Sequence, residues 1–221
     1  MLNEFENYVN TCGIQSYSQL NQDLLVLFLL KNKKNGIFVD FGATNGITIN
    51  NTYLLEKDFG WSGIVAEPNK QYTTELQNNR KCSIDNRAVY YKTGDSVILH
   101  VPTKDNLTDL ATLENYIYTD HWGHTRMSEQ YEQYLVDTIS LDDLLTQHNI
   151  NSDIDYLSID TEGSEYDILK AYSFNRKIKI ITVEHNGNKY RNDIFNLLTR
   201  NHGYSRILTD ISKYDDWYVL L

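Results

Sequence analysis

The sequence predicts a doubly wound α/β fold with a mostly parallel, seven-stranded sheet and an antiparallel strand near its C-terminus. Short apolar, β-branched runs alternate with amphipathic stretches of helical length, which favours parallel strands joined by helices on both faces of a sheet. The chain has 221 residues, a length that suits a single domain. No helix is expected between the last two strands, so one of them should run antiparallel to its neighbours.

Residues 1 to about 34 are expected to form a helical extension of this domain. Asp23 begins an apolar run, LLVLFLL, that favours a helix, and the lysines of Lys31–Lys34 suit its C-terminal end. The run is too short to span a bilayer. The acidic start, MLNEFENYVN, differs from the positively charged start of a signal peptide.

The first half of the sheet is expected to follow this extension. Apolar strand patterns stop at a glycine or a proline, and an N-cap residue precedes the second helix. The two strands that come last in this half are expected to pair partly as a hairpin. The expected elements are strand Ile37–Phe41, helix Thr48–Asp58, strand Gly63–Ala66, helix Asn69–Asn78, and strands Cys82–Val89 and Ser96–Val101.

An insertion is expected before the second half of the sheet. Pro102–Leu135 is polar and has no sustained period, so it is interpreted as an irregular segment that covers the substrate as a lid. Alternation of strands and helices then resumes. The expected elements are strand Val136–Ile139, helix Leu141–Gln147, strand Ile154–Ile159, helix Gly163–Ala171, strand Ile178–Val183, helix Tyr190–Arg200, and strands Tyr204–Leu208 and Trp217–Leu221.

Charge and cysteine content limit the partners. The net charge is −10 and no basic stripe is visible, so nucleic acid is not expected, because it is bound through Lys and Arg. An acidic surface suits a neutral or cationic substrate better than a polyanion. Cys12 and Cys82 have neither metal-binding spacing nor a disulfide framework around them, which favours a reduced, cytoplasmic setting.

Acidic residues lie at the carboxyl ends of four of the predicted strands. In open α/β sheets, ligands bind outside the carboxyl ends of the strands, so an acid at each of these ends predicts a binding site rather than a purely structural edge. The residues at these ends are Asp40, Glu67, Asp160 with Glu162, and Glu184 with His185.

The turn after the first strand indicates the kind of ligand. Its G-x-x-x-G spacing, from Gly42 to Gly46, lacks the lysine of a phosphate loop and differs from the G-x-G-x-x-G of dinucleotide sites. A ligand with an α-amino acid end would offer an amine to Asp40 and a carboxylate to the backbone amides after the glycines. S-adenosylmethionine is such a ligand, and its ribose diol would meet Glu67. The alternative is that Asp40 caps the turn and that Glu67 is solvated.

The sequence resembles the FkbM-type methyltransferases over nearly its whole length. The stretches that carry the resemblance are Ser18-Gln19 with Gln22-Asp23, FVDFGATNGITINNTYLLEK, GIVAEPN, YLSIDTEGSEYDILK, ITVEHN and DDWYVL. The resemblance implies a class I methyltransferase fold with S-adenosylmethionine as the donor. It further implies that the methionine end is held at the first strand, the ribose at Glu67-Pro68 and the adenine near Asp85-Asn86. The residues implied at the first strand are Asp40, Gly42, Ala43, Asn45 and Gly46, and Asp160 is expected beside the cofactor as well.

Catalysis of methyl transfer requires a positioned acceptor and a group that removes its proton. His185 titrates nearest to neutral pH and is the natural general base, with Asp160, Glu162 and Glu184 as further candidates. These four residues are alternatively ligands of a divalent metal ion that orients a vicinal diol, although their spacing matches no recognised metal motif.

The insertion supplies the candidates for acceptor binding. Trp122 could stack on the face of a sugar, His124 could reach the acceptor, and His121 and Arg126 lie beside them in the sequence. The alternative is an ordinary surface loop.

Together these features predict an O-methyltransferase that acts on a hydroxyl of a sugar or glycan, the acceptor type that the resemblance implies. A polyketide-like or lipid-linked acceptor is the first alternative. An enzyme that binds a nucleotide-sugar or NAD is the second, but it would usually show G-x-G-x-x-G and a Tyr-x-x-x-Lys pair, which are absent. A non-catalytic adaptor should have lost some of the strand-end acids, whereas all are present.

Overall fold

The computed structural model describes residues 1–104, 107–128 and 130–220. Residues 105, 106 and 129 of the expected insertion, and Leu221 at the end of the last expected strand, lie outside the described residues. None of the helices in the described ranges is both long enough and apolar enough to cross a membrane. The helices are α1 (Leu2–Thr11), α2 (Gln22–Leu29), α3 (Tyr53–Phe59), α4 (Thr73–Asn79), α5 (Gly123–Ser128), α6 (Leu141–Gln147), α7 (Glu165–Ala171) and α8 (Arg191–Asn196).

The main sheet of the described chain has seven strands, in the order β10-β11-β9-β8-β1-β2-β3. Strands β1, β2, β3, β8 and β9 pair in parallel, and β11 is antiparallel to both of its neighbours. This confirms the predicted fold class. The strands of the chain are β1 (Ile37–Phe41), β2 (Ser62–Ala66), β3 (Ser83–Asp85), β4 (Ala88–Tyr90), β5 (Ser96–Pro102), β6 (Thr112–Leu113), β7 (Tyr131–Ser140), β8 (Ile154–Ile159), β9 (Ile178–Glu184), β10 (Ser205–Ile207) and β11 (Asp215–Val219).

Both faces of this sheet are buried, because successive residues of each strand point to opposite sides. Val39, for example, packs in the core with α6, α7 and α8, whereas its neighbour Phe38 packs in the core with α1, α2, α3 and α4. Strand β1 lies between β8 and β2, so the chain order reverses beside it. A crevice at such a reversal is where doubly wound sheets bind their ligands.

A second sheet of the described chain, in the order β4-β7-β5-β6, corrects two expectations. The expected strand Cys82–Val89 is divided between β3 and β4, which belong to different sheets. Strand β5 pairs antiparallel with β7 instead of forming the expected hairpin. The insertion is therefore not irregular, since β7 begins at Tyr131. Most of the first five residues of β7 are exposed, so that part of the strand lacks the apolar alternation that identifies a half-buried strand.

Three helices begin later than expected, because side chains hold the preceding turns. Before α3, the side-chain Oδ1 of Asn45 accepts hydrogen bonds from the backbone N–H groups of Ile47 and Thr48, and Ile49 has a positive φ of 52°. Before α4, residues 69–72 form a turn rather than the expected start of the helix. Before α7, Glu162 and Gly163 both have positive φ angles. Hydrogen bonds from backbone N–H groups to the side chains of Asn45, Asn69 and Glu165 compete in this way with helix formation.

Candidate active site at the strand ends

A cavity of about 350 Å³ lies outside the carboxyl ends of β1, β2, β8 and β9, a volume typical of small-molecule sites. The register of the sheet aligns four residues at its edge. Phe41 pairs with Ala66 on one side and Ile159 on the other, and Ile159 pairs with Val183. The residues that follow these four strand positions all line the cavity, and they are Gly42, Glu67, Asp160 and Glu184.

Gly42 allows the close approach of two strand ends. Its φ is +78°, and a Cβ atom at this position would lie 1.9 Å from the carbonyl oxygen of Asp160. Only glycine accepts both constraints. Several amides of this turn, which were expected to cradle a ligand carboxylate, are already bound within the protein. Those of Gly42 and Ala43 donate to the carbonyl of Ala66, and that of Gly46 donates to Ala43.

Asp40 lies behind the cavity rather than in it. It belongs to β1 and pairs with Val65, so it sits two residues deeper in the sheet than Glu67. Its Oδ2 accepts hydrogen bonds from Thr52 Oγ1 at 2.7 Å and from Asn50 Nδ2 at 3.1 Å. Burial raises the pKa of Asp40, and the positive charge of Arg80 opposes that rise. Asp40 therefore supports the turn that follows β1, and it is not among the residues that line the cavity.

The other three residues expected to bind the cofactor at this turn support the turn and do not line the cavity. Ala43 is fully buried, Asn45 caps the turn through its side chain, and a Cβ atom on Gly46 would collide with Arg80 and Leu76. These three residues shape the turn without lining the cavity. Thr44, which the motif did not single out, does line it.

Glu67 is a buried carboxylate at the cavity wall. It is 5% exposed, and its two oxygens accept the backbone N–H groups of Thr44 at 2.9 Å and Asn69 at 2.8 Å. Burial raises the pKa of Glu67 to about 7, and these two hydrogen bonds oppose the rise. Pro68 and Asn69 also line the cavity. Each oxygen of Glu67 retains further lone pairs for a ligand donor.

Asp85 and Asn86 lie outside the cavity. Asp85 accepts hydrogen bonds from Arg87 at 2.6 Å and from His148 at 3.0 Å, so its carboxylate is already paired within the protein. Asn86 is exposed at the surface. The wall at this end of the cavity is apolar instead and includes Ala88, Val89 and Leu99.

Three carboxylates form what we call the acidic cluster, which consists of Asp160, Glu162 and Glu184. One oxygen of each lies within 4.8 Å of the others, and all three residues line the cavity. Asp160 and Glu184 share a hydrogen bond between their side chains. Desolvation, followed by the negative charges nearby, raises the pKa of Asp160 to about 7 and raises those of Glu162 and Glu184 well above the ordinary range.

His185 does not join this cluster. It follows Glu184 at the end of β9, and successive residues of a strand point in opposite directions. Its Nδ1 accepts the backbone N–H of Gly187 at 3.1 Å, and its Nε2 is buried without a partner among the described residues. Burial lowers the pKa of His185, and the charge of Arg191 lowers it further. The expectation that His185 lines the same pocket as the three acids is therefore wrong.

The four candidates of the insertion have different surroundings. Trp122 lines the cavity and is 40% exposed. His121 and His124 are exposed and do not line the cavity. Arg126 is 2% exposed, and its guanidinium is fully engaged within the protein.

The contacts of Arg126 exclude a free role in substrate binding. Its five N–H groups donate to the backbone carbonyls of Leu110 and Ile117, to both carboxylate oxygens of Asp120, and to Glu162. The distances to Asp120 are 2.8 and 2.9 Å. Arg126 therefore fastens the insertion to the acidic cluster, which corrects its assignment as a substrate-binding residue.

Several cavity residues escaped the sequence-based prediction. Asn186 and Tyr214 line the cavity beside Glu184, and Gln19 lines it from the N-terminal extension. Gln19 belongs to the first stretch that carries the family resemblance, and this stretch was the available signal. Asn186 ends the stretch ITVEHN, which also carries the family resemblance. No local pattern indicated Tyr214, because its position depends on the turn before β11.

Comparison with known proteins identifies one family. Residues 40–206 match the sequence model of the methyltransferase FkbM domain, which is most of the chain. No curated protein matches the sequence. Among solved structures, the crystal structure of a fibrillarin/Nop5p complex is similar, with 11% identity and a TM-score of 0.40. The match covers 91% of this chain and 79% of that chain, and a likeness of this size carries no argument about activity.

Proposed function

The chain belongs to the FkbM methyltransferase family, and from this premise we propose that it transfers the methyl group of S-adenosylmethionine to a hydroxyl of a sugar or glycan. The observation that carries the proposal is the common cavity of Glu67 and the acidic cluster. One end of this cavity suits a nucleoside, and the other offers carboxylates to an acceptor hydroxyl.

The residues at the nucleoside end fit the cofactor. The carboxylate of Glu67 is fixed by two backbone amides and keeps lone pairs for the two hydroxyls of a ribose. The apolar wall of Ala88, Val89 and Leu99 suits an adenine ring. Gly42 also lines this cavity, and its lack of a side chain lets the end of β1 lie against the carbonyl of Asp160. We assign Asp40 the support of this turn, in place of the direct contact with an amine that the motif suggested.

The bound cofactor supplies a methyl group that is already activated by a positively charged sulfur. The protein therefore has to hold the acceptor oxygen in line and accept its proton. We assign proton acceptance to the acidic cluster, because its carboxylates line the cavity and His185 does not. Raised pKa values bring such carboxylates closer to neutral pH, where they are stronger bases.

The acceptor end of the cavity suits a saccharide. Trp122 and Tyr214 are 40% and 50% exposed and both line the cavity, so an aromatic surface is available at its mouth. Aromatic rings bind the apolar face of a sugar, whereas carboxylates bind its hydroxyls. The absence of a free guanidinium at Arg126 favours a neutral acceptor over an anionic one.

A transfer assay tests this function. The full chain is incubated with methyl-labelled S-adenosylmethionine and separate panels of saccharides, polyketide-like alcohols and lipid-linked sugars, and the products are identified by mass spectrometry and NMR. We expect an O-methyl ether in the saccharide panel. Label on nitrogen or carbon would contradict the proposal, as would transfer only to acceptors that contain no sugar.

A further inference from the structure

We propose that the acidic cluster binds one divalent cation, with carboxylate oxygens of Asp160, Glu162 and Glu184 and the side-chain amide oxygen of Asn186 as its ligands. The proposal rests on the proposed function only in the use of the cation, which would hold and acidify the acceptor hydroxyl. A second carboxylate oxygen of the cluster, one that does not bind the cation, would then accept the proton. Binding of the cation itself can be measured without any acceptor.

The separation of the three carboxylates suits a single ion. Their ligand oxygens all lie within 4.8 Å of one another. Oxygens bound to one cation at about 2.0–2.6 Å lie at most about 4.0–5.2 Å apart. Ligands that are all oxygens favour hard cations such as Mg²⁺, Mn²⁺ and Ca²⁺ over softer metals.

The charges of the cluster are incompletely balanced by the protein. Arg126 contacts Glu162 but also binds Asp120, so its single positive charge serves two carboxylates. Asp160 and Glu184 have no cationic partner within residues 1–104, 107–128 and 130–220. Carboxylates removed from water are normally paired with a cation, bound to a metal or protonated.

Asn186 is a second and independent indication of a ligand. It is 8% exposed and lines the cavity beside Glu184. Its backbone N–H donates to the carbonyl of Tyr214 at 3.2 Å, and its backbone carbonyl accepts the N–H of His121 at 3.3 Å. Its side-chain amide makes no hydrogen bond with any residue that the structure describes. The amide is therefore open to a partner in the cavity, and an Asn oxygen is an ordinary ligand of Mg²⁺ and Ca²⁺.

Mn²⁺ provides a direct probe of the site. Electron paramagnetic resonance of the full chain, titrated with Mn²⁺ alone, should show one bound ion per chain, which added Mg²⁺ displaces. Substitution of residues that only hydrogen-bond to a metal ligand already lowers metal affinity by about 10–100-fold. Loss of a ligand itself should cost at least as much, so D160N, E184Q and N186A should each weaken Mn²⁺ binding by at least about tenfold. N186D, which supplies a carboxylate in place of the amide, should retain binding.

Asp109 offers a matched control. It lines the same cavity but lies outside the acidic cluster, so D109N removes one negative charge without removing a ligand. We expect D109N to bind Mn²⁺ as tightly as the wild-type chain. Circular dichroism of each variant shows whether a loss of binding reflects unfolding, and N186D keeps the test valid where another variant fails to fold.

Two results would overturn the inference. One is no bound Mn²⁺ at millimolar concentration, and the other is equal weakening by D109N and E184Q, which would indicate only the overall charge of the cavity. Methyl transfer to a saccharide that persists in EDTA would likewise overturn the cation while leaving the proposed function intact. Mn²⁺ binding without transfer to any hydroxyl would support the cation and contradict the proposed function.

Discussion

The backbone N–H of Thr44 donates a hydrogen bond of 2.9 Å to Oε2 of Glu67, so the turn after β1 and the acid after β2 hold each other in place. The second oxygen of Glu67 is bound by the amide of Asn69 in the same way. The carboxylate is thereby fixed at the cavity wall before any ligand arrives. Such preorganisation reduces the entropy that binding costs.

Glu67 should make the stability of the protein depend on pH. Its pKa is about 7 in the native state, against an ordinary value of 4.5, because it is buried. Between these two values the native state retains a proton that the unfolded state releases, so the stabilisation present below pH 4.5 is lost as the pH rises towards 7. The difference is on the order of 3 kcal/mol.

Urea unfolding of the wild-type chain and E67Q, measured from pH 4.5 to 7.5, tests this effect. The variant carries no titrating group at this position and so removes this one contribution from the pH profile. We expect the free energy of unfolding of the wild type to fall relative to that of E67Q as the pH rises. A difference that does not change with pH would show that Glu67 is solvated.

Replacement of Gly42 by alanine should lower the free energy of unfolding for two reasons, and a second variant, G94A, separates them. Gly94 also has a positive φ, of +87°, but a Cβ atom there would meet nothing within 4 Å. G94A should therefore cost only the left-handed conformation, about 1–2 kcal/mol. G42A adds a collision with the carbonyl of Asp160 and should cost a further 1–3 kcal/mol or so. Equal costs by chemical denaturation would mean that the two strand ends are not in contact.

Substitutions of His185 and of Asp160 should lower the turnover number by different amounts. Removal of a proton-accepting group typically lowers the rate by about 10²–10⁴-fold, so D160N should fall in this range with a saccharide acceptor. H185Q retains a side-chain acceptor for the N–H of Gly187 and should keep kcat within about tenfold of the wild type. If H185Q lost as much turnover as D160N, His185 would be the base that its sequence position suggested.

Arg126 should contribute to folding through its ion pairs. R126M leaves the carboxylates of Asp120 and Glu162 buried without a cation, which typically costs about 3–5 kcal/mol. In the triple variant R126M/D120N/E162Q those charges are removed, so part of the lost stability should return. Urea unfolding of the two variants measures the difference. A single variant as stable as the wild type would indicate that the guanidinium is solvated.

The main sheet could be predicted from the sequence because strands buried on both faces appear as continuous apolar runs. The second sheet could not, because much of β7 is exposed and carries polar residues on both sides. The acids at the strand ends were also apparent, but their depth was not. Asp40 and Glu67 follow similar apolar runs, and only the register between β1 and β2 shows that Asp40 lies two residues deeper.

The roles of Arg126 and Asn186 depend on long-range contacts. Arg126 stands 36 residues from Glu162 in the sequence, and nothing local to either residue indicates that they pair. Asn186 gains its importance from an amide left without a partner, a property that exists only in the folded chain. The sequence therefore predicted where the site is, and the structure was required to separate the residues that line it from those that support it.

Calorimetric titration with S-adenosylhomocysteine tests the central claim most directly, since it requires neither an acceptor nor a metal ion. We expect the wild-type chain to bind the thioether, and E67Q to bind it more weakly by about tenfold or more, because a hydrogen bond to a charged group contributes about 1.5–3 kcal/mol. Binding of NAD without binding of S-adenosylhomocysteine would contradict the account, and so would an affinity that E67Q leaves unchanged.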